Sequence, residues 1–474
     1  KYRFSLRLSC VPLKIVTQKI QSNPVFAVFG ITLSLILSSQ ASIPAQVIPD
    51  TTLSTTVTSS DNLTFLIEDG EVCCTQSGQR INHNLFHSFE QFSVPANGAA
   101  VFNHASGIEN IFSRVTGGSI SDIQGQIATN GTANLFLINP SGIIFGEDAS
   151  LNIGGSFFAS TAESLVFGTD AEFSAISPTS TVPLLSLNVS PGLQMGQHSG
   201  AITIQGRGHQ LTGGLFFPTL LNDTPTGLQV SQNQTLSLIA ADITFSGGVL
   251  RTPGSHINLH SLKEGLVGLE LLETGTSGWQ MDVNQVQEFG AIHLTDQSLV
   301  DTSGSITGRI ELHAETIRLA EGSAVLIRNL GTQPSEPIIV TATDTLTLED
   351  SIRNAPNQES VFGPVTGVIS SRLLTETLGS GQGGELLVSS QDLTLTDGSQ
   401  IASTSYGEGA SGHVTVSVAE FLNIDGNSAL DADLSSGLGT IAANSGSAGD
   451  LLVSSRNMSL SNGGVLTSLT IDGA

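Results

Sequence analysis

The chain has 474 residues and a formal net charge of −25, with charged residues at 12% and aromatics at 5%. That length allows two or three ordinary domains or one long repetitive one. So small a complement of cations excludes a nucleic-acid binder, because no basic surface remains to neutralise phosphates. The chain holds 52 glycines, and its β-branched and aliphatic residues alternate with Ser, Thr, Asn and Gly. Such a pattern predicts many short strands, tight turns and few helices.

Residues 1–45 carry Lys1, Arg3, Arg7, Lys14 and Lys19 and no acid, followed by the apolar run Val25–Leu37 and then small residues. Charge, apolar run and small residues in that order predict a secretory signal peptide. The run is shorter than the ~20 residues of a membrane-spanning helix. Cleavage is expected after Ala41 or Ala45. Removing five of the 16 basic residues leaves 11 against 41 acids, a net of −30, with Lys263 the one remaining lysine. Cys73 and Cys74 would then be the remaining cysteines, too few for a disulfide framework.

Ten of the 21 phenylalanines fall between Phe86 and Phe167, among short apolar pieces such as Leu135-Phe136-Leu137-Ile138. Each piece is too short to bury a face alone, so a stack is expected, with the rings layered along its interior. Residues 176–232, with Pro178, Pro183, Pro191, Pro218 and Pro225, predict loops or strands that leave the stack.

From about residue 230 a repeat emerges. Glu385-Leu386-Leu387-Val388-Ser389-Ser390, leading to Asp397-Gly398, returns 65 residues later as Asp450-Leu451-Leu452-Val453-Ser454-Ser455, leading to Asn462-Gly463. An earlier copy runs from Gly308 to Glu321-Gly322. Alternation makes a strand with one face in, and the Asp-Gly or Asn-Gly step supplies a turn that tolerates positive φ. A spacing of 65 predicts three coils of roughly 22 residues each. Residues 353–382, ending in Gly379-Ser380-Gly381-Gln382-Gly383, predict a second loop-rich excursion. The last residues stop where another coil would follow, which predicts a longer native protein, because a solenoid caps its last apolar layer.

Three stretches carry a resemblance. They are Asn84-Leu85-Phe86-His87-Ser88-Phe89-Glu90-Gln91-Phe92, Asn110-Ile111-Phe112-Ser113-Arg114-Val115-Thr116-Gly117-Gly118, and Gly131 to Gly146 with Asn139-Pro140-Ser141-Gly142-Ile143. In this order they resemble the N-terminal secretion domain of the filamentous haemagglutinin family, the TpsA-type of two-partner secretion, in its cyanobacterial exoprotein form. The resemblance implies an all-β chain forming a right-handed parallel β-helix with an N-terminal secretion-domain cap. It also implies an outer-membrane partner of the Omp85 (TpsB) type with POTRA domains. The expected organisation is a signal peptide at 1–45, a secretion domain at 46–175 and a β-helix repeat region at 176–474. Asn139, Pro140, Ser141, Gly142 and Ile143 match the second Asn-Pro motif of the family, with Ser141 where Asn is usual. The first motif would fall at Asn103-His104-Ala105-Ser106, which lacks the proline. These residues, with Arg114, form the expected partner-recognition set. From the residues alone, Asn-Pro-Ser-Gly is a β-turn that fixes coil register.

Gly206-Arg207-Gly208-His209 is the nearest approach to a polysaccharide-cleaving loop, without paired carboxylates beside it in sequence. Asp431 and Asp433 could share an outward face and read as a solvated acidic patch. The ten histidines read as turn and surface residues, and nothing calls for a cofactor or metal. The expectation is a non-enzymatic, adhesin-like exoprotein, secreted or held at the cell surface after Sec export, with surface glycans or cells as targets. A β-helical carbohydrate-active enzyme, or a stalk for an effector beyond residue 474, are the alternatives.

Overall fold

The computed structural model describes residues 46–68, 79–168, 171–180, 191–214, 217–271, 278–353, 358–360, 363–365 and 367–471. The expected signal segment and its cleavage sites, and the Cys73–Cys74 pair, lie outside the described residues.

Every regular element described is a β-strand. Asn84–Phe92 pairs in parallel with Asn110–Val115, and the ladder continues through Asn134–Ile138, Phe157–Ser160, Thr235–Ala240 and the first part of His256–Leu271. It runs on through Ile310–Leu319, Ile338–Leu348, Leu386–Leu395, Val414–Asp425 and Leu451–Ser454. The architecture is a parallel β-helix. One inward column reads Leu85, Ile111, Leu135, Phe157, Leu236, Ile257, Ile310, Ile338, Leu386 and Val414, none more than 1% exposed. Burying one such side chain stabilises by about 1.5–3 kcal/mol. Each coil touches only its neighbours, so this gain accumulates along the axis.

The opposite wall is made in two parts. A five-stranded ladder (Thr56–Thr58, Thr64–Glu68, Ala99–Asn103, Gln126–Thr129 and Ser150–Asn152) serves the first coils. A seven-stranded ladder begins at Val249–Arg251 and ends at Val465–Thr470. Between them the wall has a seam. The expected corner chemistry is present: Asp397 and Gly398 have φ of 51° and 78°, and Asn462 and Gly463 of 49° and 99°.

An antiparallel layer leaves the stack. Ser164–Phe167 pairs with Ala171–Ser174 and with Pro191–Met195, which in turn pairs with the far half of His256–Leu271. That long strand folds back on Trp279–Phe289. The layer packs on the outer side of the first ladder, because alternation that points Leu85 inward points Phe86 outward.

Five expectations change here. The 65-residue return spans two coils, of 28 residues (Leu386 to Val414) and 37 (Val414 to Leu451). A long strand of 10 residues and an opposite strand of 6 leave too little chain for two corners in a coil of 22. Phenylalanines do line the interior at Phe89, Phe92, Phe102, Phe145 and Phe157, but the stacked ladder Phe86, Phe112, Phe136 and Phe158 lies under the outer layer instead. The excursion expected at 353–382 is present in its first part, where Ser351–Arg353 pairs antiparallel with Val368–Ser370 and Gln358–Ser360 with Gly363–Val365, but Gly379–Gly383 belongs to a corner of the stack: the equivalent corners pack so closely that a Cβ on Gly412 would lie 1.8 Å from the Gly384 carbonyl oxygen. Within 176–232, Ala201–Gln205 is likewise a regular rung. Finally, His87, His209 and His260 are fully buried, not surface residues.

Candidate secretion-recognition site

Asn139 ends the strand Asn134–Ile138 and is 0% exposed. Its side-chain amide donates to the Ser119 carbonyl oxygen at 2.8 Å and to Ser121 Oγ at 2.9 Å. Its Oδ1 accepts from the Ser141 amide at 3.0 Å, and its own carbonyl accepts from Gly142 at 3.0 Å. Gly142 has a φ of 116°, open to glycine and strained for other residues. Pro140, Gly142 and Ile143 are buried and Ser141 is half-buried. The next rung covers the turn: Gly200 donates to the Pro140 carbonyl oxygen at 2.7 Å. Every polar group of Asn139 is thus used, its two nitrogens in joining coils and its two oxygens in closing its own turn.

Arg114 lies on the neighbouring rung and is also 0% exposed. Its Nε donates to Ser88 Oγ at 2.9 Å, and its terminal nitrogens donate to the carbonyl oxygens of Ser174 and Thr179 and to Thr52 Oγ1 at 2.7–3.0 Å. The guanidinium carbon sits 4.2 Å from the centre of the Phe173 ring, within cation–π range. Burial lowers its pKa to about 10 although Asp50 opposes the shift, so the group stays charged at neutral pH. Asp50 takes hydrogen bonds from Ser88, Thr52 and Thr116 hydroxyls at 2.5–2.8 Å. Burial pushes the Asp50 carboxyl up, but these bonds outweigh it and hold it below the usual carboxylate value. Arg114 and Asp50 communicate through the shared Ser88 and Thr52 hydroxyls. Together they lace the first described segment, two rungs and the outer layer at one point.

Asn103 is placed elsewhere, at the end of Ala99–Asn103 on the five-stranded wall. It donates to Glu68 at 2.7 Å and accepts from Asn130 at 2.5 Å. None of its hydrogen bonds reaches Arg114 or Asn139, so the expected residues form three separate joints, two buried and the Asn103 one half-buried.

Sequence reasoning missed two features of the same region. Asn84, Asn110 and Asn134 form a side-chain ladder at 2.9 Å per step, extended by Ser156, whose amide donates to Asn134 Oδ1 at 2.9 Å. Beside it, Phe86, Phe112, Phe136 and Phe158 stack with centroids 5.1, 4.8 and 4.3 Å apart, and Trp279 meets Phe136 and Phe158 edge-on. The signal was present: Asn-Leu-Phe, Asn-Ile-Phe and Asn-Leu-Phe begin at 84, 110 and 134. The half-buried network of Asp50 with Thr52 and Thr116 left no such signature.

Asp431 and Asp433 cap their own turn, with the Asp433 amide donating to Asp431 Oδ1 at 3.1 Å. Among the described residues, no three His, Cys, Asp or Glu side chains come together as a metal site.

The class of structure is a parallel β-helix whose motif residues join its own coils, with an antiparallel layer stapled to its first rungs. Residues 45–312, more than half of the chain, match the family model described as TPS secretion domain, and the chain belongs to that family. A heme/hemopexin-binding protein of Haemophilus influenzae is 35% identical over 72 residues, which is 15% of this chain and 7% of that protein's length. The chain thus matches only a small part of that relative. The crystal structure of the HMW1 secretion domain from Haemophilus influenzae aligns with a TM-score of 0.48 at 16% identity, over 89% of this chain and 99% of that one. The filamentous hemagglutinin secretion domain aligns at 0.35 and 13% identity, over 90% and 99%. Family membership gives the chain a two-partner secretion domain.

Proposed function

We propose that residues 1–45 direct the chain through the Sec route into the periplasm. There residues 46–175, with Asn139–Ile143, Asn103 and Arg114, are read by an Omp85-type outer-membrane transporter through its POTRA domains. Residues 176–474 then form the body of an adhesin-type, non-enzymatic exoprotein that meets surface glycans or cells. One observation supports the order of events: the groups of Asn139 and Arg114 are consumed inside the folded coils. A partner that reads these residues has to meet them before the coils close. An unfolded segment offers unpaired backbone groups that a receptor captures by adding a strand. Outside the cell each coil then templates the next, which favours one-way movement. The test is fractionation of cells producing the chain with its transporter. Deleting residues 84–146 is expected to trap the protein in the periplasm, and unimpaired export of that variant sinks the reading.

A further inference from the structure

The seam in the wall leaves a cleft of about 180 Å³ among Gly146–Ala149, Ile204–Arg207, Pro225, Gly227–Leu228, Gly247 and Val249. Two observations make it more than a gap. Its floor is main chain: Gly206 and Gly247 approach so closely that a Cβ on Gly206 would lie 2.3 Å from the Gly247 carbonyl oxygen, so side chains cannot fill it from below. Its rim is polar. Rungs Ile143–Phe145 and Ala201–Gln205 pair in parallel, which sets the turn carrying Glu147 and Asp148 beside Gln205 and Arg207. Arg207 forms an ion pair with Glu147. The Asp148 carboxylate and the Gln205 side-chain amide hold no hydrogen bond among the described residues and line the same cleft. The fold thus supplies the carboxylates that Gly206-Arg207-Gly208-His209 lacks in sequence.

We propose that this cleft binds one neutral, polyhydroxylated ring, a single hexose or pentose unit such as the end of a glycan. A volume below the ~300 Å³ of the smallest drug-sized sites admits one ring and no more. Glu147 already neutralises Arg207, so Asp148 leaves the rim net negative and repels phosphates and acidic sugars. A carboxylate accepts from two hydroxyl groups, while an amide and a guanidinium donate to others. A vicinal diol offers that mixture of donors and acceptors. The proposal deepens the glycan contact in the proposed function and is independent of the export route.

The test titrates the purified chain with D-glucose, D-galactose, D-mannose and D-xylose, with D-glucuronate as the anionic probe, using ligand-observed NMR. One or more neutral sugars should bind saturably with a Kd on the order of 1 mM, as expected where little surface is buried. Asp148→Ala and Arg207→Ala should each weaken binding about tenfold or more, the effect of one lost charge-assisted contact. The exposed Glu385→Gln should leave it unchanged, and Trp279 fluorescence checks that each variant is folded. The proposal is overturned if no neutral sugar binds at ~20 mM, twenty times that Kd. It is equally overturned if both cleft variants bind as the parent does, or if glucuronate binds as tightly as glucose. Absence of neutral-sugar binding by the parent chain, with the 84–146 deletion still trapped in the periplasm, overturns the site alone, whereas unimpaired export of that deletion, with the parent still binding sugar, overturns the transporter reading alone.

Discussion

Replacing Arg114 with Met keeps most of the buried volume and removes a charge that makes four hydrogen bonds of 2.7–3.0 Å. The Ser88 and Thr52 hydroxyls still have Asp50 to donate to. The Ser174 and Thr179 carbonyls lose the donors they have here, at about 1–3 kcal/mol for each buried acceptor left unsatisfied. Asp50 loses the cation nearest to it. A local loss of about 3–5 kcal/mol follows, the range for breaking a buried charged network from one side. A whole-chain melting curve would blur the effect, because a solenoid does not unfold as a single two-state unit. Hydrogen exchange resolves it. The Asp50 amide is held by Ser88 and the Ala175 amide by Glu163. Both should exchange roughly a hundredfold faster or more, since each 1.4 kcal/mol corresponds to tenfold, while amides in Leu386–Leu395 keep their protection. Acceleration under about threefold at both amides, or equal acceleration in the distant coils, would refute the account of Arg114 as a local staple.

Acid should loosen the outer layer. His260 is fully buried, its pKa lowered by burial to about 3, and His313, against which Phe289 stacks at 4.5 Å, is lowered by burial to about 4. The unfolded chain binds protons at these residues below about 6.5 and the folded chain does not, so stability falls as pH drops from 6.5 toward 4. Trp279, the single tryptophan, reports this by a red shift in emission over that window, and His313→Phe should flatten it. Gly412→Ala should cost at least 2 kcal/mol or so, the scale of an overpacked core site, because its Cβ would meet the Gly384 carbonyl oxygen at 1.8 Å; chemical denaturation followed at the C-terminal coils measures it. Phe136→Ala opens the stacked ladder between Phe112 and Phe158 and should cost about 3–5 kcal/mol, read as lost exchange protection in Trp279–Phe289.

What the sequence reveals about this fold is its local alternation and its corners. The alternation through Leu386-Leu387-Val388 reads as a strand with one face in, and Leu386 and Val388 are on that face, because a period of two is set by the strand itself. Asp397-Gly398 reads as a corner because few residue pairs tolerate two positive φ angles. Coil length is harder, since two similar segments 65 residues apart do not say how many turns lie between them. The outer layer was illegible for a different reason. Leu262–Leu271 and Trp279–Phe289 alternate like any rung, and nothing local distinguishes a strand that continues the stack from one that folds back over it. At the site, Asn139 reads as a turn residue and is one. The partners of Arg114 come from segments 26–65 residues away in sequence, and only the assembled coils bring them together.

The central claim is that the transporter meets the head before it folds. The direct measurement is the affinity of the transporter's periplasmic POTRA portion for the head in two states: folded, and held open by a combined Phe136→Ala and Phe158→Ala substitution that leaves the recognition residues in place. The account predicts that the opened head binds at least tenfold more tightly. Equal or tighter binding to the folded head would contradict it.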